Sequence, residues 1–184
     1  MNHDTQSTRR QAFILILLAA LVFSLAGCKA ASDTGSADTS STVKDSVNND
    51  NTVLNKKYST QWFDFTIKTM TTATEYQGYE SEPGYKFVVV EIRETNTFSS
   101  SLRMSASDYQ LEAAGLMEEE KLPYAPFEGV STMMPEEFEL TQGQTVDYDL
   151  VYEIPEAIMD ISLVYVEIDL KGNVGATFTL DYSL

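Results

Sequence analysis

The chain is poor in the residues on which most hydrolases and metalloproteins depend. Its 184 residues include one histidine, His3, and one cysteine, Cys28. Both precede the part that patterns as a folded domain, so that part has neither imidazole nor thiol. Ser-His-Asp and Cys-His catalysis lack their components there, and the usual zinc and copper sites lack their ligands. A single cysteine also excludes an intramolecular disulfide, even in an oxidising compartment. The domain has to be held by its core, and the 126 residues from Ser59 to Leu184 are enough for that.

Positive charge is equally scarce. Twelve Lys and Arg stand against 28 Asp and Glu, a net charge of −16. The imbalance is local: Cys28 to Tyr58 carries four Lys and four Asp, whereas Ser59 onward carries six basic against 23 acidic residues, a net −17. Such a domain is repelled by nucleic acid and by anionic membrane surfaces, so nucleic-acid binding is set aside. What remains is a basic partner, divalent cations bridging the domain to anionic envelope polymers, or solubility alone.

Long apolar runs are almost absent, with one exception. Ala12 to Ala26 is a run of 15 residues that follows Arg9-Arg10 and closes in Leu25-Ala26-Gly27-Cys28. A membrane-spanning helix needs roughly 20 residues. The order of basic, apolar and small residues is instead that of a signal peptide. Leu25-Ala26-Gly27-Cys28 resembles the bacterial lipobox at each of its positions. The resemblance implies that the Cys28 thiol receives a diacylglycerol and that a lipoprotein signal peptidase cuts between Gly27 and Cys28. Residues 1–27 are then a signal peptide. The mature protein is held by its lipid, with palmitate-type chains, on the outward face of the cell membrane, since two or more acyl chains anchor stably where one does not. Ser7 to Phe13 partly resembles a twin-arginine export signal, and both export routes stay open.

Residues 28–58 are dominated by Ser, Thr, Asp, Asn and Ala, with Val43, Val47, Val53 and Leu54 as isolated apolar residues. That composition buries too little apolar surface to offset chain entropy and reads as a disordered tether. Its span is roughly 30 Å.

From residue 59 the pattern changes. Phe63, Phe65 and Ile67 alternate with Asp64, Thr66 and Lys68, as in a half-buried strand, and Trp62 adds apolar bulk at its start. Glu75 to Gly84 reads as a polar loop with a Pro83-Gly84 turn. Tyr85 to Ile92 reads as a central strand, its run of apolar residues asking for burial on both faces. Leu102 to Ala113 gives one strand around Tyr109 and Leu111. Leu116 to Pro135 gives a long connection with one short strand or helical turn. Val146, Tyr148, Leu150 and Tyr152 alternate with Asp147, Asp149, Val151 and Glu153, which are assigned to the solvent face. Pro155 ends that strand. Leu163 to Leu170 and Ala176 to Tyr182 flank the hairpin signal Lys171-Gly172-Asn173. Six to eight short strands without an amphipathic helix predict an all-β sandwich over residues 59–184.

Three segments resemble the telokin-like extracellular domain of Gram-positive surface lipoproteins. They are Gly84 to Ile92 reaching Asn96, Asp108 to Leu111 running to Gly115, and Leu140 to Val146 followed by Leu150 to Pro155. The similarity covers roughly Gln61 to Tyr165. It departs at Glu94, where the family keeps an apolar residue, and in the Leu116 to Pro135 connection. The resemblance implies an immunoglobulin-like β-sandwich, and the family supplies no catalytic residues to carry over.

Few groups remain for chemistry. Asp147 and Asp149 share one strand face about 7 Å apart, a spacing that a glycosidase uses and that a solvated face also produces. Glu118-Glu119-Glu120, Glu136-Glu137 and Glu139 match no EF-hand loop; loose calcium attraction and a plain acidic loop are the two readings. Tyr76, Tyr79 and Tyr85 surround an acidic loop, and Tyr124 and Phe127 flank prolines. Loop aromatics of this kind anchor a partner or cap a core. Met133-Met134 is a soft contact surface or loop packing.

The expectation is a non-enzymatic surface lipoprotein with no catalytic, metal or cofactor site. Its partners are the membrane, through Cys28, and an envelope protein or wall polymer. The alternative is a small-ligand receptor feeding a transporter.

Overall fold

The computed structural model describes residues 42–45, 53–169 and 171–184. The segment expected to be a signal peptide, Cys28 and most of the segment expected to be a tether lie outside the described residues. Among the described residues no helix is long and apolar enough to cross a membrane.

Two four-stranded sheets form the sandwich. In one, β2 (Lys57–Ser59), β3 (Phe63–Ala73), β6 (Tyr85–Asn96) and β10 (Thr145–Pro155) pair antiparallel in the order β10-β6-β3-β2. In the other, β8 (Tyr109–Glu112), β11 (Asp160–Ile168) and β12 (Val174–Ser183) are antiparallel, and β1 (Thr42–Asp45) adds to the edge of β12 in parallel. Two small ladders complete the fold: β4 (Glu75–Tyr76) with β5 (Tyr79–Glu80), and β7 (Leu102–Ser105) with β9 (Glu137–Leu140).

The core follows from alternation. Phe63, Phe65 and Ile67 on β3, and Val88, Val90 and Ile92 on β6, turn inward against Tyr109, Leu111, Leu163, Tyr165, Phe178 and Leu180 of the facing sheet. Phe65 sits at the centre of this cluster, 5.5 Å from Phe178 and 6.0 Å from both Tyr109 and Tyr165, centroid to centroid. A register shift between Ile67 and Thr69 changes the phase of β3, so Met70 faces inward as well. Asn96 closes one end of the sandwich. Its side chain donates to the carbonyls of Ser100 and Leu140 and accepts from the Phe98 amide, and it is buried.

The structure corrects several expectations. The domain begins before Ser59: Val53 and Tyr58 are core residues, and Tyr58 stacks on Phe65 at 5.2 Å. In sequence Val53 is an isolated apolar residue within a polar run, so nothing local marks it as buried. The Glu75 to Gly84 loop contains the β4–β5 hairpin, turned by Gln77 and Gly78, both at positive φ. Leu102 to Ala113 is two strands in different sheets, separated by the 3-10 turn Ala106–Asp108. The Leu116 to Pro135 connection, by contrast, holds the one helical turn expected of it, the 3-10 turn Glu118–Lys121.

Candidate functional site

The apolar run of β6 and the second half of β10 are covered on both sides. Their inner face meets the opposite sheet, and their outer face is roofed by the 116–135 connection and the β4–β5 hairpin. Phe87, Met133 and Val151 are buried there, with Tyr76, Val89, Tyr124, Phe127 and Val130 packed against them. Val151 and Glu153 therefore do not face solvent as expected, because the connection lies over them.

Four of the loop aromatics meet on this outer face. Tyr79 stacks on Phe127, with centroids 4.3 Å apart and planes at 24°. Tyr76 lies 6.3 Å and Tyr124 5.4 Å from the same ring, and Phe87 sits beneath at 6.1 Å. Tyr76, Tyr79, Tyr124 and Phe127 are each half-buried, so the group is a roof over the sheet and a ring surface open to contact at once. Tyr85 stands at the start of β6, opposite Pro155.

The phenol oxygens hold the roof in place. Tyr76 donates to Asp149 at 2.7 Å and meets the Thr132 hydroxyl at 3.0 Å, and Tyr79 donates to the Glu128 carbonyl at 3.2 Å. Tyr124 donates to one oxygen of Glu153 at 2.5 Å, while the other accepts from the Glu82 amide at 2.7 Å. Both oxygens of this buried carboxylate are thereby satisfied, as burial requires. Burial first, then the neighbouring Asp149 carboxylate, pushes the Tyr76 hydroxyl up to about 12. It acts as a donor and not as an acid at neutral pH.

The carboxylate pair is taken apart by its partners. Asp147 forms a bidentate pair with Arg93, at 2.7 and 2.8 Å, whose hydrogen bonds and charge hold its carboxyl below the usual range. Asp149 is engaged by Tyr76, and its backbone is tied to Thr132 and Met134. The other acidic runs are divided in the same way. Glu120 accepts from the Met117 amide, Glu118 and Glu112 share Lys121, and Glu137 pairs with Arg103. Among the described residues no three His, Cys, Asp or Glu side chains gather as a metal ion requires. A hollow of about 470 Å³ between Ser101–Arg103 and Glu137–Glu139 is an open surface groove.

One buried acid was not read from the sequence as a site. Glu94 projects inward between the sheets, 1% exposed, and accepts from the Tyr109 hydroxyl at 2.6 Å. Burial raises it to about 7. The available signal was a lone acid in the inward series Val88, Val90, Ile92.

Against known proteins, residues 37–174 match the family model described as Domain of unknown function (DUF4352). No curated protein matches the chain. Among solved structures, the ycdA protein of Bacillus subtilis strain 168, named as a candidate lipoprotein, is similar at TM-score 0.50 and 16% identity. The similarity covers 68% of this chain and 38% of ycdA. The B. subtilis yjhA protein is similar at TM-score 0.48 and 14% identity, over 70% of this chain and 98% of yjhA. An uncharacterized β-sandwich protein of Clostridium difficile 630 is similar at TM-score 0.38 and 11% identity, over 74% of this chain and 97% of its own.

Proposed function

The chain belongs to the DUF4352 family, and from that premise we propose that it is a lipid-anchored surface protein whose immunoglobulin-like β-sandwich is a non-enzymatic binding module. The anchor reading rests on Leu25-Ala26-Gly27-Cys28 and is supported by the naming of ycdA as a candidate lipoprotein. The binding reading rests on one observation, the half-exposed Tyr79–Phe127 stack fixed over the outer face of β6 and β10.

Aromatic pairs that are already ordered offer contact area at low entropic cost, which suits them to anchoring a partner. Tyr79 and Phe127 come from different segments, yet each is immobilised by neighbouring rings and hydrogen bonds. Asp147 and Asp149, the groups nearest to a catalytic pair, are held by Arg93 and Tyr76. The partner is an envelope protein or wall polymer.

The test is photo-cross-linking on intact cells with the cross-linker at position 79, comparing the native chain with Cys28→Ala. A discrete product at position 79 that is lost with both Phe127→Ala and Phe127→Leu supports the binding surface. Dependence of that product on Cys28 supports the anchor. Equal labelling at position 79 and at a site on the opposite sheet, such as Gln110, would overturn the aromatic face as the binding site.

A further inference from the structure

We propose that the end of the sandwich carrying the β11–β12 turn contacts the lipid surface, with Val166, Ile168 and Val174 entering the headgroup region. The inference rests on the anchoring read at Cys28.

Three observations converge on this end. The first is where the chain leaves. β1 runs parallel to β12, with Thr42 opposite Thr177 and Asp45 opposite Leu180. The chain continuing from Thr42 back towards Cys28 therefore departs at the Val174 end of β12. Thirteen residues, 29–41, separate the lipidated position from β1, a length of chain that spans at most about 45 Å. This end of the domain is the one the tether brings to the bilayer.

The second is apolar exposure. Ile168 and Val174 are cross-strand neighbours beside the turn, 58% and 66% exposed, and Val166 lies on the same face of β11. Side by side, these residues form a small exposed apolar patch next to the turn. The turn is stiffened by Asp169, whose carboxylate accepts from the Lys171 and Asn173 amides and from the Asn173 side chain. At the same end the only tryptophan, Trp62, packs edge-to-face on Phe98 at 4.8 Å. Half-buried aromatics of this kind are favoured at a membrane interface.

The third is charge. The segments 59–62, 97–101 and 141–144 at this end contain no charged residue, and 169–173 contains Asp169 and Lys171 only. At the opposite end, segments 74–84, 113–122 and 156–159 carry net −3, −2 and −1. Asp108, which precedes Tyr109 opposite Tyr165, is an acid close to Val166, so this end is less acidic than the opposite one, which is held away beyond a screening length of about 8 Å. Apolar contact at such an end does not need anionic lipid, unlike a basic membrane-binding patch.

The test uses the mature protein extracted from membranes and returned to vesicles. With Cys28 lipidated, Val174→Cys or Glu80→Cys provides a single labelling site for an environment-sensitive dye. The expected result is that nitroxide lipids lower emission at position 174 about twofold and leave position 80 unchanged. Phosphatidylcholine vesicles should serve as well as those containing phosphatidylglycerol, and Ile168→Glu should abolish the quenching. The mass of the N-terminal peptide reads the anchor separately. A lipidated peptide with equal quenching at both positions overturns the lipid contact alone. An unlipidated peptide overturns it together with the anchor. Cross-linking of position 174 to a protein in place of lipid overturns it too.

Discussion

Tyr109 and Glu94 are joined by a 2.6 Å hydrogen bond across the interior of the sandwich, from the phenol of β8 to the carboxyl of β6. Only one carboxyl oxygen is engaged, and the other is buried without a partner. An ionised carboxylate in that setting is costly, which is why burial raises Glu94 to about 7 from an ordinary 4.5. Asp108, alongside, is raised by burial as well.

The sign of the pH dependence follows. The folded-state value lies above the unfolded one, so the contribution of Glu94 is fully present below about 4.5 and is lost as pH rises through about 7. Asp64, Asp147 and Asp169 are lowered and act oppositely, losing their contribution only as pH falls below the ordinary range near 3.8. The domain should therefore lose stability between pH 5 and pH 8, by on the order of 2–3 kcal/mol from Glu94. Glu94→Gln, which keeps an acceptor for Tyr109, should flatten that slope and raise the melting temperature at pH 8. Thermal unfolding of both proteins at the two pH values checks it, and parallel slopes would remove Glu94 as the cause.

The start of the fold is a second point of test. Tyr58 stacks on Phe65 and meets Phe178 edge-on at 6.4 Å, while Val53 is 2% exposed. A chain begun at Ser59 leaves a cavity over Phe65 and should be less stable by about 3–5 kcal/mol than one begun at residue 40. Equal urea midpoints for the two chains would contradict this. Tyr58→Ala in the longer chain should reproduce most of the loss.

These two cases also show where sequence reading succeeds and where it stops. The strands with clean alternation, Phe63 to Ile67 and Val146 to Tyr152, were legible because period-2 burial is written in consecutive residues. Pro155 and Lys171-Gly172-Asn173 placed their boundaries for equally local reasons. Val53 and Tyr58 were not legible, since the rings that meet Tyr58, Phe65 and Phe178, lie in other strands and no alternation in their own segment marks them. The same holds for Val151 and Glu153, which looked like a solvent face until residues 116–135 were laid over them. The site aromatics Tyr76, Tyr79, Tyr124 and Phe127 were visible singly as loop aromatics. Their meeting is a property of topology alone.

Tyr76 links that roof to β10 through Asp149. Removing the hydroxyl in Tyr76→Phe leaves the ring in place and deprives a part-buried carboxylate of a donor. A cost of about 1–2 kcal/mol is expected, as for a hydrogen bond to a charged group. Amide exchange should accelerate in β4–β5 and near Thr132 and leave the core strands β3 and β6 protected. Uniform acceleration across the domain would mean that the hairpin and the core open as one unit.

Phe127 is the residue on which roof and binding surface coincide. It touches Tyr76, Tyr79, Tyr124 and Phe87, and its amide hydrogen bonds to the Met133 sulfur at 3.3 Å. Phe127→Ala should cost about 2–4 kcal/mol, somewhat less than a fully buried phenylalanine because the ring is half-exposed. Loss of cross-linking in that variant alone would not separate a missing contact from a loosened roof. Phe127→Leu makes the separation: it refills most of the volume and should recover most of the stability, while removing the flat ring against which Tyr79 stacks. A partner held by the aromatic surface should be lost with leucine as with alanine. A partner retained by the leucine variant would bind elsewhere, and the aromatic cluster would then be packing only. Melting temperature and cross-linking yield, measured on the same two variants, decide between them.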